Sequence, residues 1–129
     1  MKTPTSPSMG IQVYGIDNCD SVKKARTWLT DHGLAYAFHD FKKEGVSEAS
    51  INQWIHIVGW ETLLNRKGTT WRKLEPSTQA TVKDVDSAKA LMMLHPSLIK
   101  RPVVEWPTHG TAPDVSVSFH AQNWSEQRL

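Results

Sequence analysis

Residues 11–40 read IQVYGIDNCDSVKKARTWLTDHGLAYAFHD, and the reading of this stretch decides the fold. Ile11-Gln12-Val13-Tyr14 has the alternation of a short strand, and Gly15 ends it. Asn18-Cys19-Asp20-Ser21 then has the chemistry of a helix start, with acidic and hydroxyl side chains beside the free amides. Val22, Ala25 and Leu29 recur on one helical face, which Trp28 widens. Gly33 fits the position just past the helix, where a left-handed backbone is common. Residues 35–40 read as a second strand. A strand, a helix and a strand in such quick succession form a right-handed crossover with the two strands parallel. The loop after the first strand then lies at the carboxyl edge of the sheet, where open α/β folds place ligands. Cys19 sits in that loop.

The rest of the 129-residue chain extends this unit. Residues 42–45 form a charged connection. Ser47 and Ser50 start a helix carrying Ile51, Trp54, Ile55 and Val58, which Gly59 breaks. Residues 60–64 are a short helical piece, 65–70 (NRKGTT) a basic loop, and 71–74 a return to order. Pro76-Ser77-Thr78 reads as a break. Asp84 caps a helix over 84–94 that His95-Pro96 ends. Residues 103–106 are a strand, 107–113 a loop, and 115–119 a strand of period two. The segment from His120 on reads as a short, frayed helix. The first ten residues, polar and rich in Pro and Ser, are expected to be a disordered tail.

The order is therefore β-α-β, helices, then β-β-α. A parallel unit followed by a hairpin and a covering helix is the thioredoxin-like arrangement, an α/β fold with a mixed sheet. The domain is expected over 11–129, with its core at 11–41 and 96–129 and an inserted helical subdomain at 46–94.

Composition sets the outer bounds. Hydrophobic residues at 39% and charged residues at 22% are ordinary for a globular chain. A chain of this size buries about two-thirds of its unfolded surface, enough to fold without disulfides or metals. The net charge of +2 is far from that of a nucleic-acid binder. No run approaches the ~18 apolar residues of a membrane span, and the start lacks the apolar stretch of a signal peptide. One cysteine excludes an internal disulfide, so a reducing cytoplasm is the natural compartment. The six histidines show no metal-ligand spacing, and no metal is expected.

Cys19 is the residue with chemistry. A thiolate is the nucleophile, and a free thiol of pKa about 8.5 is only a few per cent ionised at neutral pH. A helix N-terminus favours the anion through unpaired N–H groups and partial positive charge. Lys23, one turn on, offers a cation, while Asp17 and Asp20 would act against it. The motif is Cys-Asp-Ser-Val, without the second cysteine of a Cys-x-x-Cys pair, so any disulfide must be mixed. Arg66 in the basic loop and Arg101 before Pro102 offer the planar fork that binds two oxygens of an oxyanion or carboxylate. A cis Pro102 would open the third strand facing the cysteine loop. Trp60 and Trp71 flank the basic loop and are candidates to line a cleft.

Three segments carry a resemblance: residues 14–25 (YGIDNCDSVKKA), 59–74 (GWETLLNRKGTTWRKL) and 95–103 (HPSLIKRPV). In order and spacing they resemble the ArsC (arsenate reductase) family, in particular its YffB-like branch, and more distantly Spx. The resemblance implies a thioredoxin-like fold with a helical insert, and a thiolate that attacks its substrate and is regenerated by glutathione and glutaredoxin. It places the nucleophile at Cys19 and the oxyanion-binding arginines at Arg66 and Arg101, with Asn18, Lys23 and Pro102 expected around the substrate. Arsenate reductases carry a further arginine after the third strand, whereas residues 102–127 have none, and Lys23 stands where they commonly have arginine. These departures turn the expectation to a single-cysteine, glutathione-dependent thiol reductase. It would bind no cofactor, would use glutathione as co-substrate, and would act on a small oxyanion or thiol substrate. The alternatives are an arsenate reductase proper, or an Spx-like regulator that binds RNA polymerase without catalysis. Spx proteins switch through a Cys-x-x-Cys pair, and Val22 occupies its second position here. A non-catalytic domain that keeps the fold is the remaining possibility.

Overall fold

The computed structural model describes residues 10–108, 110 and 112–129. Residues 1–9 of the tail expected over 1–10, and positions 109 and 111 of the 107–113 loop, lie outside the described residues. The described residues divide into two compact units, one from residues 10–40 together with those after 100, the other residues 41–100.

The first unit holds the sheet. Strands β1 (Ile11–Gly15) and β2 (Tyr36–Asp40) pair in parallel, Val13 opposite Phe38, across helix α1 (Asp20–Asp31). Strand β3 (Val103–Trp106) pairs antiparallel with β1, and β4 (Asp114–Val117) antiparallel with β3. The order is β2-β1-β3-β4, a mixed sheet of the thioredoxin-like type. Ile11, Val13, Val104 and Trp106 point to one side, where they pack with Ala25, Trp28 and Leu29 of α1. Helix α8 (Ala121–Arg128) closes this core with a single residue. The Trp124 ring meets Trp28 at 5.2 Å, Trp106 at 4.9 Å and Phe119 at 4.8 Å, each edge to face. That geometry sets the positive ring edge against the negative face.

Two expectations for this unit are corrected. The last strand ends at Val117, not Phe119, because Ser118 takes a left-handed backbone (φ 68°) that leaves the ladder. The terminal helix is held, not frayed: Trp124 is buried, and Arg128 Nη1 donates to Asp114 Oδ2 at 2.6 Å with its guanidinium 4.6 Å from the Trp106 ring.

The second unit is helical. It comprises α2 (Phe41–Glu44), α3 (Glu48–Val58), α4 (Trp60–Leu63), α5 (Thr69–Arg72), α6 (Pro76–Ala80), α7 (Val85–Leu94) and a 3-10 turn at Pro96–Leu98. Ser47 caps α3 by accepting from the Ser50 N–H at 3.1 Å. Asp84 and Ser87 form a reciprocal capping box on α7. Ile51, Trp54, Leu63, Ala88, Leu91, Met92 and Leu98 form the buried set of these helices. The charged connection at 42–45 is a turn of helix, anchored by the buried Phe41 beside Trp54. The break expected at Pro76 is a helix start, because proline fits the first helical position, whose N–H has no partner in any case.

Gly15 and Trp124 are the positions most exposed to test. A Cβ on Gly15 would lie 2.6 Å from Val22 Cγ2, so Gly15→Ala should cost about 1–3 kcal/mol in urea unfolding. Adding Val22→Ala should recover part of that loss, whereas simple additivity would refute the contact. Trp124→Ala should cost about 3–5 kcal/mol by the same measurement.

Candidate active site around Cys19

Strand β1 ends at Gly15, and the chain turns at once, the Cys19 N–H donating to the Ile16 carbonyl at 3.2 Å. Cys19 is the N-cap of α1, with an extended backbone, and its own carbonyl accepts the Lys23 N–H at 3.0 Å. The turn is tight because the first turn of α1 lies against Gly15, where only a hydrogen leaves room for the buried Val22. The thiol is therefore presented at the carboxyl end of β1, half-buried.

Its sulfur makes no cap hydrogen bond of full geometry, yet it sits by the Val22 and Ser21 N–H groups. Burial works to raise its pKa. The Val22 N–H, the hydrogen bond and charge of Arg101, and the Ser21 N–H together outweigh burial, and the pKa lies below the ordinary thiol value. The cation that bears on the thiol is Arg101, while Lys23 is exposed to solvent. Arg101 stands immediately before β3 and is joined to Pro102 by a cis peptide bond. Pro102 is buried, and its carbonyl accepts the Ser118 N–H at 2.9 Å. Of the two acids expected to oppose the thiolate, Asp17 is engaged elsewhere, its Oδ1 accepting from Arg26 Nη1 at 3.4 Å. Asn18 and Asp20 are exposed beside the thiol in the chain.

Cys19, Arg101 and Pro102 thus belong to one unit, together with Asn18 and Lys23. Arg66 belongs to the 41–100 unit, where its guanidinium lies 5.2 Å from the Trp60 ring. Arg128, which follows the arginine-free stretch 102–127, is committed to Asp114 and Trp106. A polar group on the sheet went unnoticed in the sequence. His39 Nε2 is 2.6 Å from Gln12 Oε1, the His39 ring stacks on Tyr14 at 4.6 Å, and the Tyr14 hydroxyl donates to Glu105 at 3.3 Å. The period-two alternation of β1, which puts Gln12 and Tyr14 on one face, was the signal that could have found it. Among the described residues no group of three or more His, Cys, Asp or Glu side chains could hold a metal ion. No helix among them is long and apolar enough to cross a membrane.

A sequence profile described as the ArsC family matches residues 14–114. The chain belongs to the ArsC family. An uncharacterized protein of Haemophilus influenzae is 39% identical over 94 residues, which cover 73% of this chain and 82% of that one. The transcriptional regulator Spx of Bacillus subtilis is 23% identical over 73% of this chain and 72% of its own. Among solved structures, a protein named YffB is 41% identical with a TM-score of 0.81, covering 90% of this chain and 96% of its own. An arsenate reductase related protein of Brucella melitensis is 44% identical with a TM-score of 0.69, covering 98% and 100%.

Arg101→Leu should move the thiolate titration, followed by its ultraviolet absorbance, to higher pH. An unchanged midpoint would remove Arg101 as a cause. Folding lowers this pKa, so the thiolate stabilises the fold above the thiol pKa of the unfolded chain. That contribution is lost as pH falls through the folded value.

Proposed function

We propose that this ArsC-family protein is a single-cysteine oxidoreductase that reduces glutathione-linked disulfides, working in a reducing cytoplasm. The observation that carries the reading is the half-buried Cys19 thiol, held toward its anion by Arg101 and the helix amides, in a chain with no second cysteine. A thiolate of this kind attacks the glutathione sulfur of a mixed disulfide. The new bond joins Cys19 Sγ to that sulfur, and the partner thiolate leaves with the electron pair. A free glutathione thiolate then attacks the same glutathionyl sulfur, releasing Cys19 as thiolate and forming oxidised glutathione. Each turnover consumes one free glutathione, the other half of the oxidised product being the glutathionyl group taken from the substrate, and a glutaredoxin would serve in the second step.

Arg101 has a double part in this scheme. It stabilises the attacking sulfur, and its fork suits a carboxylate of the incoming peptide. Arg66 is assigned to the substrate's charge by the family resemblance. Asn18, Lys23 and Pro102 are assigned to the walls of the substrate site.

The same arginine beside the thiol favours arsenate reduction as a second reading, in which the thiolate attacks arsenic and glutathione resolves the adduct. The commitment of Arg128 to Asp114 and Trp106 weighs against it, since it engages the one arginine that follows β3 in the chain. An Spx-type switch is not proposed, because the fully buried Val22 fills the place of its second cysteine.

Mass spectrometry after incubation with oxidised glutathione should show one glutathione added to the wild type and none to Cys19→Ser. Arg101→Leu should slow the adduct by roughly an order of magnitude at neutral pH. Absence of the wild-type adduct would sink the reading. An adduct formed only with arsenate and reduced glutathione would establish the second.

A further inference from the structure

Arg26, one turn beyond Val22 on α1, has its guanidinium seated on strand β2. Its Nε donates to the Tyr36 hydroxyl at 3.0 Å. Its guanidinium carbon lies 4.2 Å from the Phe38 ring centroid and 5.8 Å from that of Tyr36, within cation–π range. From this seat Nη1 donates to Asp17 Oδ1 at 3.4 Å. Asp17 stands two residues before Cys19, in the loop that leaves β1. One side chain of α1 thus ties the cysteine loop to β2.

The pair is open to water, with side-chain exposures of 35% for Arg26 and 67% for Asp17. Exposed ion pairs are weak when two side chains must be ordered for one contact. Here the β2 rings already order the long arginine, so only the short Asp17 side chain is left to fix.

Sheet order gives this contact a direction. Strand β1 lies between β2 and β3, so the thiol past its end has a β2 flank and a β3 flank. Arg101, which leads into β3, bears on the thiol from one side. Arg26 draws the Asp17 carboxylate toward the other. The remaining charged groups beside Cys19 in this unit, Asp20 and Lys23 of α1, are exposed. A carboxylate two residues away can come within about 7 Å of the sulfur, where one charge in water moves a titration by roughly half a pH unit.

We propose that Arg26 is a positioning residue of the Cys19 site, which holds the Asp17 carboxylate on the β2 flank and so keeps it from suppressing the reactive thiolate. The proposal rests on the reading of Cys19 as a reactive thiolate and deepens it, since it assigns a residue that touches neither the thiol nor a substrate.

The test is the pH–rate profile of alkylation by iodoacetamide. The probe is neutral, so substituted charges do not steer it, and the single cysteine is its one thiol target. Arg26→Met keeps the aliphatic stem and removes the guanidinium. It should move the midpoint up by roughly half a pH unit, about a threefold loss of rate below the midpoint. Arg26→Met with Asp17→Asn, whose net charge equals that of the wild type, should return the midpoint to near the wild-type value. A misfolded Arg26→Met protein would not be rescued in this way. An unmoved midpoint in Arg26→Met, or a shift that Asp17→Asn leaves in place, would overturn the proposal and spare the Cys19 reading. A wild-type midpoint at the ordinary thiol value would overturn the Cys19 reading and the proposal with it.

Discussion

The first turn of α1 lies so close to the end of β1 that only glycine fits at position 15, where a Cβ would sit 2.6 Å from Val22 Cγ2. This one approach sets much else. It lets the chain reverse between Gly15 and Asp20, directs α1 back along the sheet so that β2 can pair in parallel with β1, and presents the amides at the start of α1 beside Cys19. The residue that makes the approach is itself at the heart of the matter. Val22 packs its side chain under the strand end, while its N–H faces the sulfur. Packing and electrostatics are thus joined in a single residue.

The state of the thiol is a balance of opposed effects. Half-burial withdraws solvent from the anion and would keep the proton on. Two N–H groups and a guanidinium reverse the result. Arg101 reaches the thiol from the edge of β3, far along the chain, so the balance exists only once β3 has paired with β1. Asp17, one of the two carboxylates that flank Cys19 in sequence, is paired with Arg26, which also lies 4.2 Å from the Phe38 ring and donates to the Tyr36 hydroxyl at 3.0 Å. An acid that would have raised the thiol pKa is thereby tied to the crossover instead.

The two units solve their packing differently. The sheet unit is closed by aromatic edge-to-face contacts converging on Trp124, so one residue of the terminal helix secures both that helix and the sheet face. The helical unit has several very short helices, and short helices are marginal by themselves. It relies on caps at Ser47 and Asp84 and on backbone bonds that tie 63–65 to 98–100.

Much of this was legible in the sequence, because it rests on local rules. Hydrophobic periodicity marks α1 and the two parallel strands, and Gly33, Ser47 and Asp84 mark helix ends by their chemistry. The family follows from three motifs and their spacing. Pro76 misled, since a proline read as a break also suits a first helical turn, and Ser118 gave no sign of its left-handed backbone. Lys23 was the natural cation for Cys19 by sequence spacing, since proximity along the chain is all that a sequence displays. The sequence by itself determined the crossover, the position of Cys19 at a helix start, and the lack of an internal disulfide partner. Only the tertiary structure decided that Arg101 is the cation on the thiol, that Arg128 is committed to Asp114, and that Trp124 anchors the last helix. Each of these pairs residues distant in the chain, and strand pairing and ring packing, not spacing, bring them within reach.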